Sequence, residues 1–195
     1  MPKKKAKRTN PNKKPISLDS IDYHEVIAEE STGNMYYAWL LVLPPMFEHE
    51  GMTKEQVVSL WDAVNNFAAA PDFTGRRLAD ETTRIEHTLG FSTPYPDIDF
   101  DAVRSEGALL AVRRKLKANA LHAGLCIIAL GIESTGKFTP EEIKRLIFNA
   151  DLTLAEIQRG CTTYEDLAAF VEAKGIAMRE GANDMAIIEL PQVAG

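Results

Sequence analysis

The sequence is poor in the features that mark a secreted or membrane-spanning protein. It has 2 cysteines, Cys126 and Cys161, which cannot form the disulfide framework of a small secreted domain. No apolar segment of the kind found in signal peptides follows the basic start of the chain. The longest apolar run, residues 36–47, is interrupted by Pro44 and Pro45 and is too short to span a bilayer. We therefore expect a soluble protein of the bacterial cytoplasm that does not contact a membrane.

The sequence also lacks the motifs of common enzymes and cofactor sites. Neither the phosphate-binding loop nor the dinucleotide glycine fingerprint is present. The four histidines are His24, His49, His87 and His122. None of them meets the zinc-enzyme pattern of two ligands four residues apart with a glutamate between them. No histidine is placed by sequence to activate Cys126 or Cys161. We expect no enzymatic activity, no cofactor and no metal, and we place the histidines at the surface or partly buried.

Three aspartates in residues 97–101 (DIDFD) form the one acidic cluster that suggests a metal site. In an extended segment their carboxylates lie on one side and offer oxygen ligands to a divalent ion. A calcium loop is excluded because Ala102 and Ala108 occupy the positions that require glycine and glutamate. We interpret the aspartates as caps of the next helix, where they favour the positive end of its dipole.

Charge is divided unevenly along a chain whose composition, 45% hydrophobic and 26% charged, is that of a protein with a packed core. Seven of the 22 basic residues lie in a start that has no acidic residue: Lys3, Lys4, Lys5, Lys7, Arg8, Lys13 and Lys14. The other 15 basic residues and all 28 acidic residues give residues 15–195 a net charge of −13. A disordered basic arm is therefore predicted before an acidic body.

An internal repeat with an offset of 85 residues organises the body. Three glycine pairs share this offset: Gly51 and Gly136, Gly75 and Gly160, and Gly90 and Gly175. The first glycine of each copy is followed by a capping-box signal, at Thr53 in one copy and Thr139 in the other. Each copy then continues with a helical apolar pattern and ends at a glycine suited to a helix C-terminus.

These patterns predict an all-α fold, a helical bundle of two related units with at most a short C-terminal β element. The predicted segments are a basic disordered arm (1–15), helical unit 1 (16–92), a linker (93–100) and helical unit 2 with a C-terminal extension (101–195). A long helix is expected from near Asp101 to Ile132, with a kink or break at a glycine because each glycine costs about 1 kcal/mol in a helix. Residues 184–190 predict a strand whose partner is residues 16–21 or another chain.

The predicted core includes four aromatic residues: Trp39, Trp61, Phe67 and Phe148. Residues 154–171 have the spacing of a helix-turn-helix, but their second helix has three acidic residues and no base, so we favour a packing role. The basic cluster 113–117 (RRKLK) can contact phosphates or pair with acidic residues on a solvated face. The candidate nucleic-acid-binding residues are the seven cations of the arm together with Arg113, Arg114 and Lys117.

Residues 138–146 (FTPEEIKRL), 160–167 (GCTTYEDL), Gly175 and Ile176 carry a resemblance. In this order they are similar to small helical proteins of unknown function encoded by bacteriophages and prophages of gut bacteria. The likeness covers residues 121–176 and departs from the pattern by lacking a basic Gly-Lys-Lys-Arg element near the capped helix. It implies a phage accessory protein and supplies no activity.

The leading functional hypothesis is a non-enzymatic interaction protein, encoded by a phage, whose acidic body binds and modulates a host or phage protein that handles nucleic acid. The most specific form of this hypothesis is inhibition of a host defence nuclease. One alternative is direct nucleic-acid binding by the basic arm. Another is a homo-oligomeric structural protein.

Overall fold

The computed structural model describes residues 26, 34–70, 76–90, 103, 105–180 and 186–189. Within them the chain is an all-α helical bundle with one small β-hairpin, which confirms the predicted fold class. Its elements in chain order are α1 (Asn34–Glu48), α2 (Lys54–Ala68), α3 (Arg76–Leu89), α4 (Glu106–Ser134), α5 (Pro140–Gln158), α6 (Tyr164–Ala173), β1 (Ala177–Glu180) and β2 (Ala186–Glu189). The basic arm, the linker 93–100, the aspartates of residues 97–101 and the predicted unit boundaries lie outside the described residues.

The repeated sequence signals form the same local structures in both copies. Thr53 and Thr139 each accept a hydrogen bond from the backbone N–H three residues later, and that residue's side chain accepts one from the threonine N–H. Gly51 and Gly136 both have positive φ angles, of 61° and 64°, which residues other than glycine adopt with difficulty. The predicted capping boxes are therefore confirmed, and α2 and α5 begin at equivalent positions.

The two copies are packed in a crossed arrangement. α1, the first helix of copy one, packs against α5 and α6, the later helices of copy two. The second half of α4 is its counterpart, and α4 packs against α2 and α3 of copy one. α1 and α4 also pack against each other. Because each leading helix is covered by the other copy, the described helices share one hydrophobic core.

Two tryptophans contact each other within this core. Trp39 of α1 and Trp61 of α2 have ring centroids 4.5 Å apart, and both are buried as predicted. Phe67 is partly buried against the same core. The prediction for Phe148 is wrong, since 59% of this residue is exposed. Its neighbour Ile147 points into the core, and one step along a helix turns the next side chain by about 100°.

α4 is a continuous helix of 29 residues, so the predicted kink or break is wrong. Its N-cap is Ser105, so the interpretation of the aspartates in residues 97–101 as its caps is also wrong. Gly124 and Gly131 lie where α4 closely approaches Ala38 of α1 and Val64 of α2, respectively. By length and composition alone α4 is apolar enough to cross a membrane, yet 56% of its most apolar window is buried inside the protein. This burial is consistent with the core helix of a soluble protein.

The C-terminal β element is an antiparallel hairpin. β2 lies within the predicted strand segment, but its partner is β1, in the register Ala177 to Glu189 and Glu180 to Ala186. The prediction of a partner in residues 16–21 or another chain is therefore wrong. Pairing with the adjacent segment closes a much shorter loop and costs less conformational entropy than pairing with a distant one.

Candidate functional site

Three side chains that can ligate metals or exchange protons meet where α3 packs against α4. Glu86 lies on α3, and His122 and Cys126 lie on α4. The Nε2 atom of His122 is 2.6 Å from Oε1 of Glu86 and 3.6 Å from Sγ of Cys126. We call these three residues the Glu-His-Cys cluster. It joins positions that are 36 residues apart in the chain.

Helix geometry explains how the sequence assembles this cluster. His122 and Cys126 are four residues apart on α4, so they project from one face of the helix, one turn apart. On α3, Glu86 lies next to Ile85 and three residues before Leu89, and these two apolar residues are buried in the core. Glu86 therefore lies at the edge of the buried face, with 13% of its side chain exposed.

The cluster lies in a poorly hydrated environment that favours uncharged or mutually neutralised groups. Burial, and to a lesser extent the charges of Glu86 and Asp151, raises the pKa of the Cys126 thiol to about 12. Asp151 of α5 reaches solvent, but the surrounding helices remove part of its hydration and raise its pKa, while His122 acts in the opposite direction. Asp151 therefore lies close enough to interact with two members of the cluster.

The geometry does not match that of a nucleophilic triad. In such a triad the nucleophile and the acid contact opposite nitrogens of the histidine ring. Here Glu86 and Cys126 face the same atom, Nε2 of His122. Cys126 is also 0% exposed, so a substrate in solvent does not reach its sulfur. The cluster therefore does not provide an activated cysteine nucleophile.

A pocket of 540 Å³ opens beside the cluster, with His122 in its wall. We call it the α4 pocket. Its walls come from α1, α4, α5 and α6 and include apolar side chains such as Leu121, Leu125 and Leu154. Its polar wall residues are Asn34, Lys117, His122, Asp151 and Gln158. This combination of apolar walls with a few converging polar groups is typical of a site for a small organic ligand.

Two tyrosines give the α4 pocket an aromatic wall. The rings of Tyr37 and Tyr164 have centroids 4.8 Å apart at an interplanar angle of 63°. Burial, together with Tyr37, raises the pKa of Tyr164, so its hydroxyl remains neutral at physiological pH. Thr163 is the N-cap of α6 and fixes Tyr164 as the first residue of that helix. The aromatic wall is therefore held by a capped, well-defined helix start.

The predicted nucleic-acid-binding residues are only partly described by the structure. Arg113, Arg114 and Lys117 lie in the N-terminal half of α4; Arg114 and Lys117 are exposed and Arg113 is half-buried. Lys117 also lines the α4 pocket. The seven arm cations lie outside the described residues: Lys3, Lys4, Lys5, Lys7, Arg8, Lys13 and Lys14. Nucleic-acid binding by these residues therefore remains a prediction.

The segment with helix-turn-helix spacing serves packing. α5 ends at Gln158, Gly160 turns the chain with a φ angle of 73°, and α6 follows. α6 packs against α1 and buries Leu167 and Val171 in the common core. The packing interpretation of this segment is confirmed.

Sequence reasoning missed the Glu-His-Cys cluster. His49 and His87 are exposed as expected and His24 lies outside the described residues, but His122 is buried at 8% exposure. The sequence indicated no histidine to activate either cysteine; the fold brings His122 beside Cys126, but burial raises the pKa of that thiol. The four-residue spacing of His122 and Cys126 in a helical segment predicts that these two side chains lie together. No local sequence feature pairs Glu86 with them.

The two cysteines should differ strongly in reactivity. In the native protein we expect an alkylating reagent to modify Cys161, which is exposed, and to leave Cys126, which is buried and has a raised pKa. Peptide mass spectrometry after alkylation with and without denaturant measures this. Cys161→Ala should remove all native labelling. Two modified cysteines in the native protein would contradict the described burial of Cys126.

Neither a family model, nor a curated protein, nor a solved structure matches the chain.

Proposed function

We propose that this protein is a non-enzymatic binding protein whose α4 pocket takes a small planar heterocyclic molecule. The volume of 540 Å³ carries the proposal, because sites for small organic ligands occupy roughly 300–1,000 Å³. A non-enzymatic role is favoured because, among the described residues, the cysteine beside the pocket is buried and faces the same ring nitrogen as its neighbouring acid.

The chemistry of the walls supports this ligand class. Tyr37 and Tyr164 offer aromatic surface to a flat ring, and Leu154 offers an apolar contact. The amide of Gln158 has both a hydrogen-bond donor and an acceptor, and Asp151 accepts hydrogen bonds when ionised. A ring system with N–H and carbonyl groups along its edge matches such walls better than a hydrocarbon or a strongly charged metabolite.

A bulky substitution in the α4 pocket tests the proposal. Leu154→Trp should fill the pocket and weaken binding of a purine or pyrimidine nucleoside by at least about tenfold, equivalent to about 1.4 kcal/mol. Leu152→Trp is the matched control because Leu152 lies on the same helix but is 47% exposed. Isothermal titration calorimetry with adenosine, guanosine, cytidine and uridine measures the affinities.

The expected result is that the wild type and Leu152→Trp bind one nucleoside with equal affinity, whereas Leu154→Trp binds it at least about tenfold more weakly. Equal binding by both variants would show that the nucleoside binds elsewhere. Failure of all four nucleosides to bind the wild type would overturn the proposed ligand class.

A protein partner is the second proposal, favoured by an exposed apolar pair on α5. Phe148 is 59% exposed and Leu152 is 47% exposed, and they lie one turn apart. Exposed aromatic residues are enriched at protein interfaces. The net charge of −13 in residues 15–195 suits a basic surface, such as that of a phage or host protein that handles nucleic acid in the cytoplasm.

Affinity purification from the native host tests the second proposal. A protein partner should remain bound after nuclease treatment and after deletion of residues 1–14, and Phe148→Ser should release it. Loss of all bound material on either of the first two treatments would favour nucleic-acid binding by the basic arm instead. A wild-type protein that captures only copies of itself would favour a homo-oligomeric structural role.

A further inference from the structure

The Glu-His-Cys cluster offers a divalent metal three ligand atoms of suitable types. The carboxylate of Glu86, Nε2 of His122 and Sγ of Cys126 all lie within 4.8 Å of one another. Zinc is bound by these three kinds of atom. Because the three ligand atoms lie this close together, and both neighbours face the same ring nitrogen, a single metal ion can contact all three.

One separation within the cluster equals that of a tetrahedral zinc site. Zinc–sulfur and zinc–nitrogen bonds of ordinary length, at the tetrahedral angle, place the two ligand atoms about 3.6 Å apart. The observed distance from Sγ of Cys126 to Nε2 of His122 is 3.6 Å. The 2.6 Å contact between Glu86 and His122 has to widen to about 3.4 Å, which a small rotation of the partly exposed Glu86 side chain provides.

The charges around the cluster also suit a divalent cation. A zinc ion held by the Glu86 carboxylate, the Cys126 thiolate and a neutral His122 forms a neutral unit, which tolerates burial far better than separate ions do. The three ligands lie on two helices, α3 and α4; His122 and Cys126 are buried, and Glu86 is partly buried.

We propose that this protein binds one zinc ion at Glu86, His122 and Cys126. The ion crosslinks α3 to α4 and stabilises the crossed packing of the two copies. The same ion holds His122 in the wall of the α4 pocket and fixes the shape of that wall.

Metal titration of the full-length, untagged chain tests the proposal. After removal of metals by a chelator and dialysis, the protein should bind one Zn²⁺ in competition with a chromogenic chelator. Co²⁺ should produce a thiolate-to-cobalt charge-transfer band and the visible bands of four-coordinate cobalt. Cys126→Ala should abolish the charge-transfer band, and Glu86→Gln should weaken zinc binding by at least about tenfold.

Two matched controls separate this site from other thiols and imidazoles. Cys161→Ala removes the exposed cysteine, and His87→Ala removes an exposed histidine next to Glu86 in the chain. Both variants should bind zinc and cobalt like the wild type. If Cys126→Ala fails to fold, Glu86→Gln decides the question, because glutamine keeps the size and hydrogen-bonding ability of the side chain.

The proposal is overturned if the wild type gives no thiolate-to-cobalt band, or if Cys161→Ala removes the band and Cys126→Ala does not. Zinc affinity that is unchanged in Glu86→Gln would also overturn the proposed ligand set. No organic ligand takes part in these titrations, so their outcome is independent of nucleoside binding in the α4 pocket.

Discussion

Replacing Gly131 with alanine should lower the free energy of unfolding by about 1–3 kcal/mol, although alanine is the better helix former. A Cβ atom at this position would lie 2.8 Å from Cγ2 of Val64 and 2.9 Å from its Cα. A rotamer change relieves the first contact but not the second, because the second involves the backbone of α2. The helices α2 and α4 must therefore move apart, and tightly packed interiors resist such movement.

The same substitution at Gly107 of α4 is the matched control and should have the opposite sign. A Cβ atom at Gly107 would have only Oγ of Ser105 nearby, at 3.9 Å. Because Gly107 is the second residue of α4, where helix propensity counts less than in the interior, Gly107→Ala should stabilise the protein by no more than about 0.5 kcal/mol. Chemical denaturation of both variants measures the difference. A stabilising effect of Gly131→Ala would show that α2 and α4 do not approach as closely as described.

The glycines of α4 show where sequence reasoning succeeds and where it stops. From the sequence alone, Gly131 is expected to destabilise its helix, because glycine has a low helix propensity and this propensity is a local property. In the folded chain α2 and α4 approach each other closely at Gly131. The residue that requires a glycine there, Val64, is 67 positions away in the sequence. A glycine that weakens an isolated helix is therefore required in the folded protein, because a distant segment packs against it.

Capping signals were predicted well because they operate within four residues. Thr53 and Thr139 form their boxes whatever the rest of the chain does, and positive φ at Gly51 and Gly136 follows from the end of the preceding helix. The all-α class follows from such signals. The crossed packing does not, because a repeat predicts two similar units but contains no information on which unit covers which helix.

The candidate site shows the same division between local and distant information. The spacing of His122 and Cys126 on one helix predicts that they lie together, although it does not match the zinc-enzyme pattern of two ligands with a glutamate between them. The sequence does not predict that Glu86 belongs to the cluster, because its position there depends on how α3 packs against α4. The prediction that Phe148 lies in the core is wrong for a related reason. It rests on the aromatic residue type and not on the position of Phe148 on α5.

Replacing Trp39 with alanine should have the largest effect of any single truncation in this core. Trp39 is 0% exposed, and its ring packs against that of Trp61, 4.5 Å away between centroids. Truncation of a buried tryptophan costs about 3–5 kcal/mol, because it removes apolar contacts and leaves a cavity. For a chain of this length that loss lowers the melting temperature by about 6–20 °C.

Phe148→Ala is the control, because it also removes an aromatic ring but at a site that is 59% exposed. It should change the free energy of unfolding by no more than about 0.5 kcal/mol. Thermal unfolding followed by circular dichroism compares the two variants. Equal effects would contradict the placement of Trp39 in the core and Phe148 on the surface.

Trp39→Phe should be far milder than Trp39→Ala, for a reason specific to this ring. Among the described residues, Nε1 of Trp39 is a buried donor with no hydrogen-bond partner. Such a donor costs about 1–3 kcal/mol, and phenylalanine removes it. This gain offsets part of the lost ring contact, so we expect a net cost below about 1.5 kcal/mol. A cost as large as that of Trp39→Ala would show that the indole N–H is satisfied in solution.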